Sequence, residues 1–127
     1  MADRSNFLPL FGDRKIVHLM AGDVLFESGD PSTTMYVVKE GQVRIHELGI
    51  TLEIVGPGGL FGEMALVDRL PRSADATAET DCALIEVDEK AFLAALQADP
   101  LFALDVLRIV TRRLRETNKL LAKFSAK

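Results

Sequence analysis

All nine glycines of this 127-residue chain lie before Asp88, and that asymmetry limits the fold more than any other feature. Glycine, proline and aspartate interrupt helices and favour turns. Ahead of Asp88 they cut the chain into short apolar runs, which read as strands at 16–20, 24–27, 35–39, 42–48, 51–55, 73–78 and 82–87. The punctuation between them is turn chemistry: Ala21-Gly22-Asp23, Ser28-Gly29-Asp30-Pro31, Glu40-Gly41 and Gly56-Pro57-Gly58-Gly59. Many short strands at such spacing indicate a sandwich, roll or barrel. Glu40-Gly41, between two β-rich runs, reads as a tight hairpin.

Beyond that point helix formers dominate. Asp88 is a good N-cap for a helix over 89–98. Asp99-Pro100 is a second start signal, a capping side chain followed by proline at the first helical position. Nothing interrupts the chain from Leu101 to about Phe124, and about 24 helical residues run about 36 Å. Leu107, Val110, Leu114, Thr117, Leu121 and Phe124 recur at alternating spacings of three and four. That is a heptad seam with one polar member. One reading lays the helix along its own β-layer; the expectation preferred here is that the seam pairs with a second copy of the chain.

Composition narrows the function classes. A net charge of −4 and a pI near 5.1 disfavour a surface built to coat nucleic acid. They leave room for a small anion held by a local arginine. A lone cysteine, Cys82, rules out an intrachain disulfide and suits a reducing cytoplasm. No apolar run approaches the roughly 18–20 residues of a membrane-spanning helix. The expectation is therefore a cytoplasmic domain. His18 and His46 fall on separate strands with no His-x-His pair, which speaks against a metal-dependent enzyme of the β-roll type. No nucleophile–base set stands out, so no catalytic residue and no enzyme activity are assigned. The basic residues Arg108, Arg112, Arg113, Arg115, Lys119 and Lys123 suit a solvated face or the flank of the seam.

The segment 61–78, FGEMALVDRLPRSADATA, carries the chemistry. A glycine lets backbone approach a ligand, one short helical turn follows, and a loop then presents an arginine. Exposed amides at a helical start attract an anion, and a guanidinium fork matches two phosphate oxygens. Ser73 can add a hydroxyl donor. Glu63 is repelled by phosphate, so in such a site it must face a donor such as a sugar hydroxyl. Residue types and spacing thus describe a pocket for a phosphorylated sugar, with a structural turn and a surface ion pair as the plain alternative.

The same run resembles the phosphate-binding cassette of the cyclic-nucleotide-binding domains, of the catabolite activator and kinase regulatory subunit type. Their pattern of F-G-E, aliphatic, small, L and then P-R-S/A/T-A is matched at Phe61, Gly62, Glu63, Met64, Ala65, Leu66, Pro71, Arg72, Ser73 and Ala74. Residues 21–31 and the runs Tyr36-Val37-Val38 and Gly41-Gln42-Val43 resemble that family's first turn and central hairpin. The resemblance implies a mainly β fold with C-terminal helices: an antiparallel, jelly-roll-like β-roll, a short cassette helix and a long terminal helix. It implies one domain over 1–127, with 1–87 the roll (cassette 58–78) and 88–127 the helices.

The resemblance also implies roles. Arg72 pairs with the cyclic phosphate, helped by Ser73 and by backbone amides near Met64 and Ala65. Gly62 backbone and Glu63 hold the ribose 2′-hydroxyl. Arg112-Arg113-Leu114 aligns with a basic pair and leucine on the dimerising helix, which puts Thr117 and Asn118 at the base; Thr117 equally suits a register-setting polar residue. Serine at 73 leans toward cyclic AMP over cyclic GMP, where threonine is frequent. Asp75 and Ala76 depart from the family pattern, and the loop 67–70 lacks the glycine often found before Pro71. The chain ends soon after the long helix, where the family's transcription factors continue into a helix-turn-helix. The implied product is a stand-alone cyclic-nucleotide sensor with no other cofactor and no DNA-binding part, a homodimer signalling to an unidentified partner protein. The competing expectation is a fold that has lost its nucleotide and serves protein interaction, with Asp75 as its sign.

Overall fold

The computed structural model describes residues 6–12 and 14–125. A single helical turn, α1 (Leu8–Phe11), precedes β1 (Ile16–Leu19), β2 (Val24–Phe26), β3 (Thr34–Glu40), β4 (Val43–Glu47), β5 (Ile50–Val55) and β6 (Leu60–Phe61). The cassette helix α2 (Met64–Asp68) leads to β7 (Asp75–Ala78) and β8 (Cys82–Asp88), and the chain closes with α3 (Glu89–Ala98) and α4 (Leu101–Ser125). The strands form two antiparallel four-stranded sheets, ordered β1-β8-β3-β6 and β2-β7-β4-β5. This is the expected β-roll with C-terminal helices.

Burial explains why the central strands read as unbroken apolar runs. Side chains alternate across a strand, and in β3 both faces are covered. Tyr36 and Val38 point between the sheets, joining Val43, Val55, Phe61, Ala76, Ala78 and Leu84. Met35 and Val37 point the other way, onto a layer built from Phe7, Phe11, Phe92, Phe102 and Val106. Phe102 is the hub of that layer, meeting the rings of Phe7, Phe11 and Phe92 edge-on at 5.6, 5.8 and 5.9 Å. Edge-on ring pairs favour a defined packing over a merely greasy one. Together they anchor the start of α4 to the roll.

The turn at Glu40-Gly41 is not a hairpin. β3 pairs with β6 and β8, whereas β4 pairs with β5 and β7, so the chain crosses there from one sheet to the other. Gly41, at φ +83°, permits the corner because a Cβ would lie 2.2 Å from the Asp81 carbonyl oxygen. A glycine between two β-rich runs suits either a hairpin or a corner; the backbone pressed against residue 81 decides for the corner. The tight hairpin is instead β4–β5, through Leu48 and Gly49 at φ 51° and 78°. Two short elements, α1 and β6, escape the sequence pattern, being only four and two residues long.

The helical starts follow their caps. Asp88 Oδ1 accepts the Ala91 amide at 2.8 Å, and Asp99 Oδ1 accepts that of Leu101 at 3.2 Å. Only the first turns of α4 are buried, at Phe102, Asp105 and Val106. From Leu107 onward its apolar stripe lies largely in the open, with Leu107, Leu114, Leu121 and Phe124 all exposed. The helix therefore does not lie along its own roll over its length. No helix among the described residues is long and apolar enough to cross a membrane.

Candidate functional site

Arg72 sits where β-roll interior and cassette meet, and it is 6% exposed. Its guanidinium carbon stacks 3.9 Å from the centroid of the Phe26 ring. Nη1 donates to the Gly62 carbonyl at 3.1 Å and Nη2 to Thr34 Oγ1 at 3.3 Å. Nε is buried and has no hydrogen-bond partner. Burial pushes the guanidinium below its ordinary pKa, opposed by Tyr36, Glu63 and Asp30. Arginine nonetheless stays charged. Among the described residues no carboxylate comes within ion-pair distance of it: its hydrogen bonds go to neutral acceptors, and Glu63 and Asp30 act on its charge only from further away. Such a charge is costly unless an anion meets it.

Gly62 makes this arrangement possible. It lies at φ +81°, and a Cβ there would stand 2.6 Å from Arg72 Nη1. Directly after it, Leu66 and Val67 give the first backbone bonds of α2, both to the Glu63 carbonyl. The earlier amides, Met64 and Ala65, precede any intrahelical acceptor, as at every helix start. Ser73 is exposed beside the cassette helix, its hydroxyl 3.8 Å from Met64 Sδ. At the other end of α2, Arg69 takes the left-handed conformation at φ 59°, which favours glycine.

Glu63 is 1% exposed, and the donor it faces belongs to α4. Arg113 Nη1 reaches Glu63 Oε1 at 2.6 Å, its Nε reaches Glu53 Oε1 at 2.6 Å, and its Nη2 reaches the Leu60 carbonyl at 2.6 Å. Burial is the largest single influence on Arg113 and would lower its pKa, but Glu63 and Glu53 together hold it above the ordinary value. Arg112 adds a second contact to Glu53 at 3.3 Å. Glu63 Oε2 is left buried without a partner. The site thus holds one unmatched donor, Arg72 Nε, and one unmatched acceptor, Glu63 Oε2. A molecule carrying both an anion and a hydroxyl would satisfy both.

The structure brings Gly62, Glu63, Met64, Ala65, Arg72 and Ser73 together at one end of the roll. Thr117 and Asn118 lie one turn beyond Arg113 on α4, half-buried and exposed respectively, and no hydrogen bond ties them to the cassette among the described residues. Asp75 points away from the roll interior. Ala76 and Ala78 fill the roll interior, so Asp75 and Thr77 face the opposite side, where Asp75 meets His46 and the Ser28 amide. Glu53, Thr34 and Phe26 were not foreseen. An acid, a hydroxyl and a ring in short strands carry no signal of their partners until the fold joins residues as far apart as 53 and 113. A cleft of about 340 Å³ between β5 and α4, lined by Phe7, Glu53, Leu60, Ile109 and Arg112, shares Arg113 with the site, but neither Arg72 nor Glu63 lines it. No group of three or more metal-ligating side chains occurs among the described residues.

A β-roll with a buried arginine beside its cassette and a cassette carboxylate paired to a terminal helix is the arrangement of a small-ligand-binding domain. Residues 16–99 match the family model of the cyclic nucleotide-binding domain, and the chain belongs to that family. It is 37% identical over 102 residues to the Cyclic AMP receptor protein of Thermus thermophilus, covering 76% of this chain and 47% of that one. The crystal structure of the Thermus thermophilus Catabolite Activator Protein superposes with a TM-score of 0.77 at 34% identity, over 92% of this chain and 57% of that one. A chain solved for a cyclic-GMP-dependent signalling pathway that regulates bacterial phytopathogenesis gives 0.72 at 31% identity, over 90% of this chain and 94% of that one. The chain spans about half the length of the receptor-type curated relatives it matches.

Proposed function

We propose that this chain binds a cyclic nucleotide as a regulatory module, with Arg72 and Ser73 receiving the cyclic phosphate and Glu63 Oε2 accepting from the ribose 2′-hydroxyl. The observation that carries this reading is the buried Arg72 guanidinium, whose Nε has no partner and to which, among the described residues, no carboxylate comes within ion-pair distance. A phosphate brings the missing negative charge, and charge-assisted hydrogen bonds are the strong ones. The Gly62 backbone and the opening amides at Met64 and Ala65 border the same space.

The base lies toward α4, where Thr117 and Asn118 follow about one turn past Arg113. Cyclic AMP is preferred over cyclic GMP by a modest margin, since Ser73 offers a single hydroxyl worth about 1 kcal/mol. A relative named for cyclic AMP supports this preference, while the cyclic GMP pathway chain keeps the comparison of both nucleotides in the test. Occupancy is conveyed through α4, because Arg113 couples Glu63 to that helix. The exposed stripe on α4 pairs with a second copy, and the output is read by a partner protein in the cytoplasm. No catalysis is involved. A fold emptied of its ligand was suggested by Asp75, but that side chain faces away from the roll interior and no longer speaks for it.

Calorimetric titration with cyclic AMP and with cyclic GMP, alongside Arg72→Ala, tests the reading. Saturable heat that disappears in the variant supports it. No heat from the intact protein with either nucleotide at high micromolar concentration overturns it.

A further inference from the structure

Asp75 departs from its family's pattern, yet its surroundings give it a task. The turn 27–30 closes on itself through the Asp30 amide to the Glu27 carbonyl at 3.0 Å and the Glu27 amide to Asp30 Oδ2 at 2.9 Å. Its two middle amides leave the turn. That of Ser28 donates to Asp75 Oδ1 at 2.6 Å, and that of Gly29 donates to the Arg72 carbonyl at 2.8 Å. The Arg72 amide returns the contact to the Asp30 carbonyl, also at 2.8 Å. The turn is therefore fastened at three points to residues 72 and 75.

This fastening sits where the β-ladder gives out. β2 and β7 pair irregularly between Val24 and Phe26, and the last matched pair is Phe26 with Ala76. Two residues past Phe26 the Asp75 carboxylate takes over from the backbone. Phe26 is also the ring on which the Arg72 guanidinium stacks. The Asp75 contact thus bears on Arg72 twice, through its main chain and through the ring beneath its side chain. The other carboxylate oxygen lies 3.6 Å from His46 Nδ1, and His46 Nε2 is in turn 2.8 Å from Thr77 Oγ1. These neighbours keep the carboxylate on the outer face of the sheet, away from the ligand.

We infer that Asp75 is a positioning residue for ligand binding, one that pins the 27–30 turn to β7 and so holds Arg72 in place to receive the ligand's anion. The inference rests on the cyclic-nucleotide reading for its effect on affinity, and on the turn alone for its effect on the backbone. Asparagine keeps an oxygen able to accept from the Ser28 amide, while alanine does not. That difference separates positioning from charge.

The test compares the intact protein with Asp75→Asn and Asp75→Ala, by calorimetry with cyclic AMP and by amide hydrogen exchange without ligand. Asp75→Ala is expected to weaken binding about tenfold, the scale of a lost hydrogen bond to a charged acceptor, and to speed exchange at the Ser28, Gly29 and Arg72 amides. Asp75→Asn is expected to keep affinity within about threefold and to leave that exchange slow. Unchanged exchange at Gly29 and Arg72 in Asp75→Ala overturns the inference whether or not nucleotide binds. Tighter binding in both variants overturns it in favour of simple repulsion between Asp75 and the phosphate. If the intact protein binds no nucleotide while exchange responds as expected, the functional reading fails and the pinning of Arg72 stands.

Discussion

Arg113 Nη1 lies 2.6 Å from Glu63 Oε1, so the carboxylate proposed to read the sugar is held by the helix proposed to carry the signal. The Glu63 side chain is almost wholly buried and that of Arg113 is 23% exposed. Breaking such a pair from one side leaves an uncompensated buried charge, at a cost of about 3 kcal/mol or more. Arg113→Met is expected to lose that much stability in denaturant unfolding and to bind cyclic nucleotide more weakly. Adding Glu63→Gln should recover part of the stability but none of the binding, a non-additive cycle of the kind found for directly paired residues. Additive losses in the double variant would show that the two side chains act separately.

Gly62 offers a sharper separation of stability from function. A side chain there must accept φ +81° and push against Arg72 Nη1. The conformational cost is about 1–2 kcal/mol, which a melting curve reads directly. Because the obstructed atom belongs to Arg72, Gly62→Ala should also reduce nucleotide affinity, as Arg72→Ala should. Equal affinity in Gly62→Ala and the intact protein would mean that the guanidinium moves freely to meet its anion.

Much of this site was legible in the sequence, because its chemistry is local. Gly62, Glu63, Arg72 and Ser73 fall within twelve residues, and the anion-plus-hydroxyl logic follows from residue types alone. The direction of Asp75 was not legible, since alternation along β7 gives two faces and only the neighbouring β4 shows which is outside. Glu53 was hidden for a similar reason. An acid in an exposed-looking strand has the same appearance whether it meets water or Arg113. The corner at Gly41 shows the limit at the level of fold: turn residues reveal that the chain reverses or bends, while sheet membership depends on distant strands. The two helical starts were plain because their caps lie within three residues of the amides they satisfy.

Leu48 is a local misfit that predicts an improvement. It is 88% exposed and sits at φ 51° ahead of Gly49, the backbone of a two-residue turn that favours Asn-Gly. Leu48→Asn relieves the left-handed strain and removes an exposed apolar side chain. Its expected gain is about 1 kcal/mol, the lower end of the left-handed penalty, seen as a raised melting temperature with unchanged nucleotide affinity. A lower melting temperature would contradict this reading of the turn.

Cys82 should be slow to react. It is 5% exposed, and burial, then Asp81 and Asp23, raise its thiol above the ordinary value of 9.0. The thiolate is the nucleophile, so alkylation near neutral pH should lag well behind a free cysteine and accelerate on unfolding. Linkage gives the sign for stability. The folded state holds the proton more tightly, so the contribution is complete below the ordinary value and is lost as pH rises through the higher folded one. Stability measured across that alkaline window should fall less steeply in Cys82→Ala than in the intact protein.

The α4 stripe carries the remaining prediction. Leu107, Leu114 and Leu121 recur every seven residues and are 61%, 59% and 61% exposed, although the start of the same helix is buried on the roll. Val110 and Thr117, the alternate members of the seam, are half-buried. A row of leucines at heptad spacing, left open by the chain's own core, is what a paired helix would cover. Sedimentation should therefore find a dimer, and Leu114→Asp with Leu121→Asp should convert it to a folded monomer. Leu93, similarly exposed but on α3, provides the control: Leu93→Asp should leave the dimer intact. A monomer from the intact protein at tens of micromolar, with and without nucleotide, would remove the seam's assigned partner, and transmission through α4 would then have to occur within one chain through Arg113.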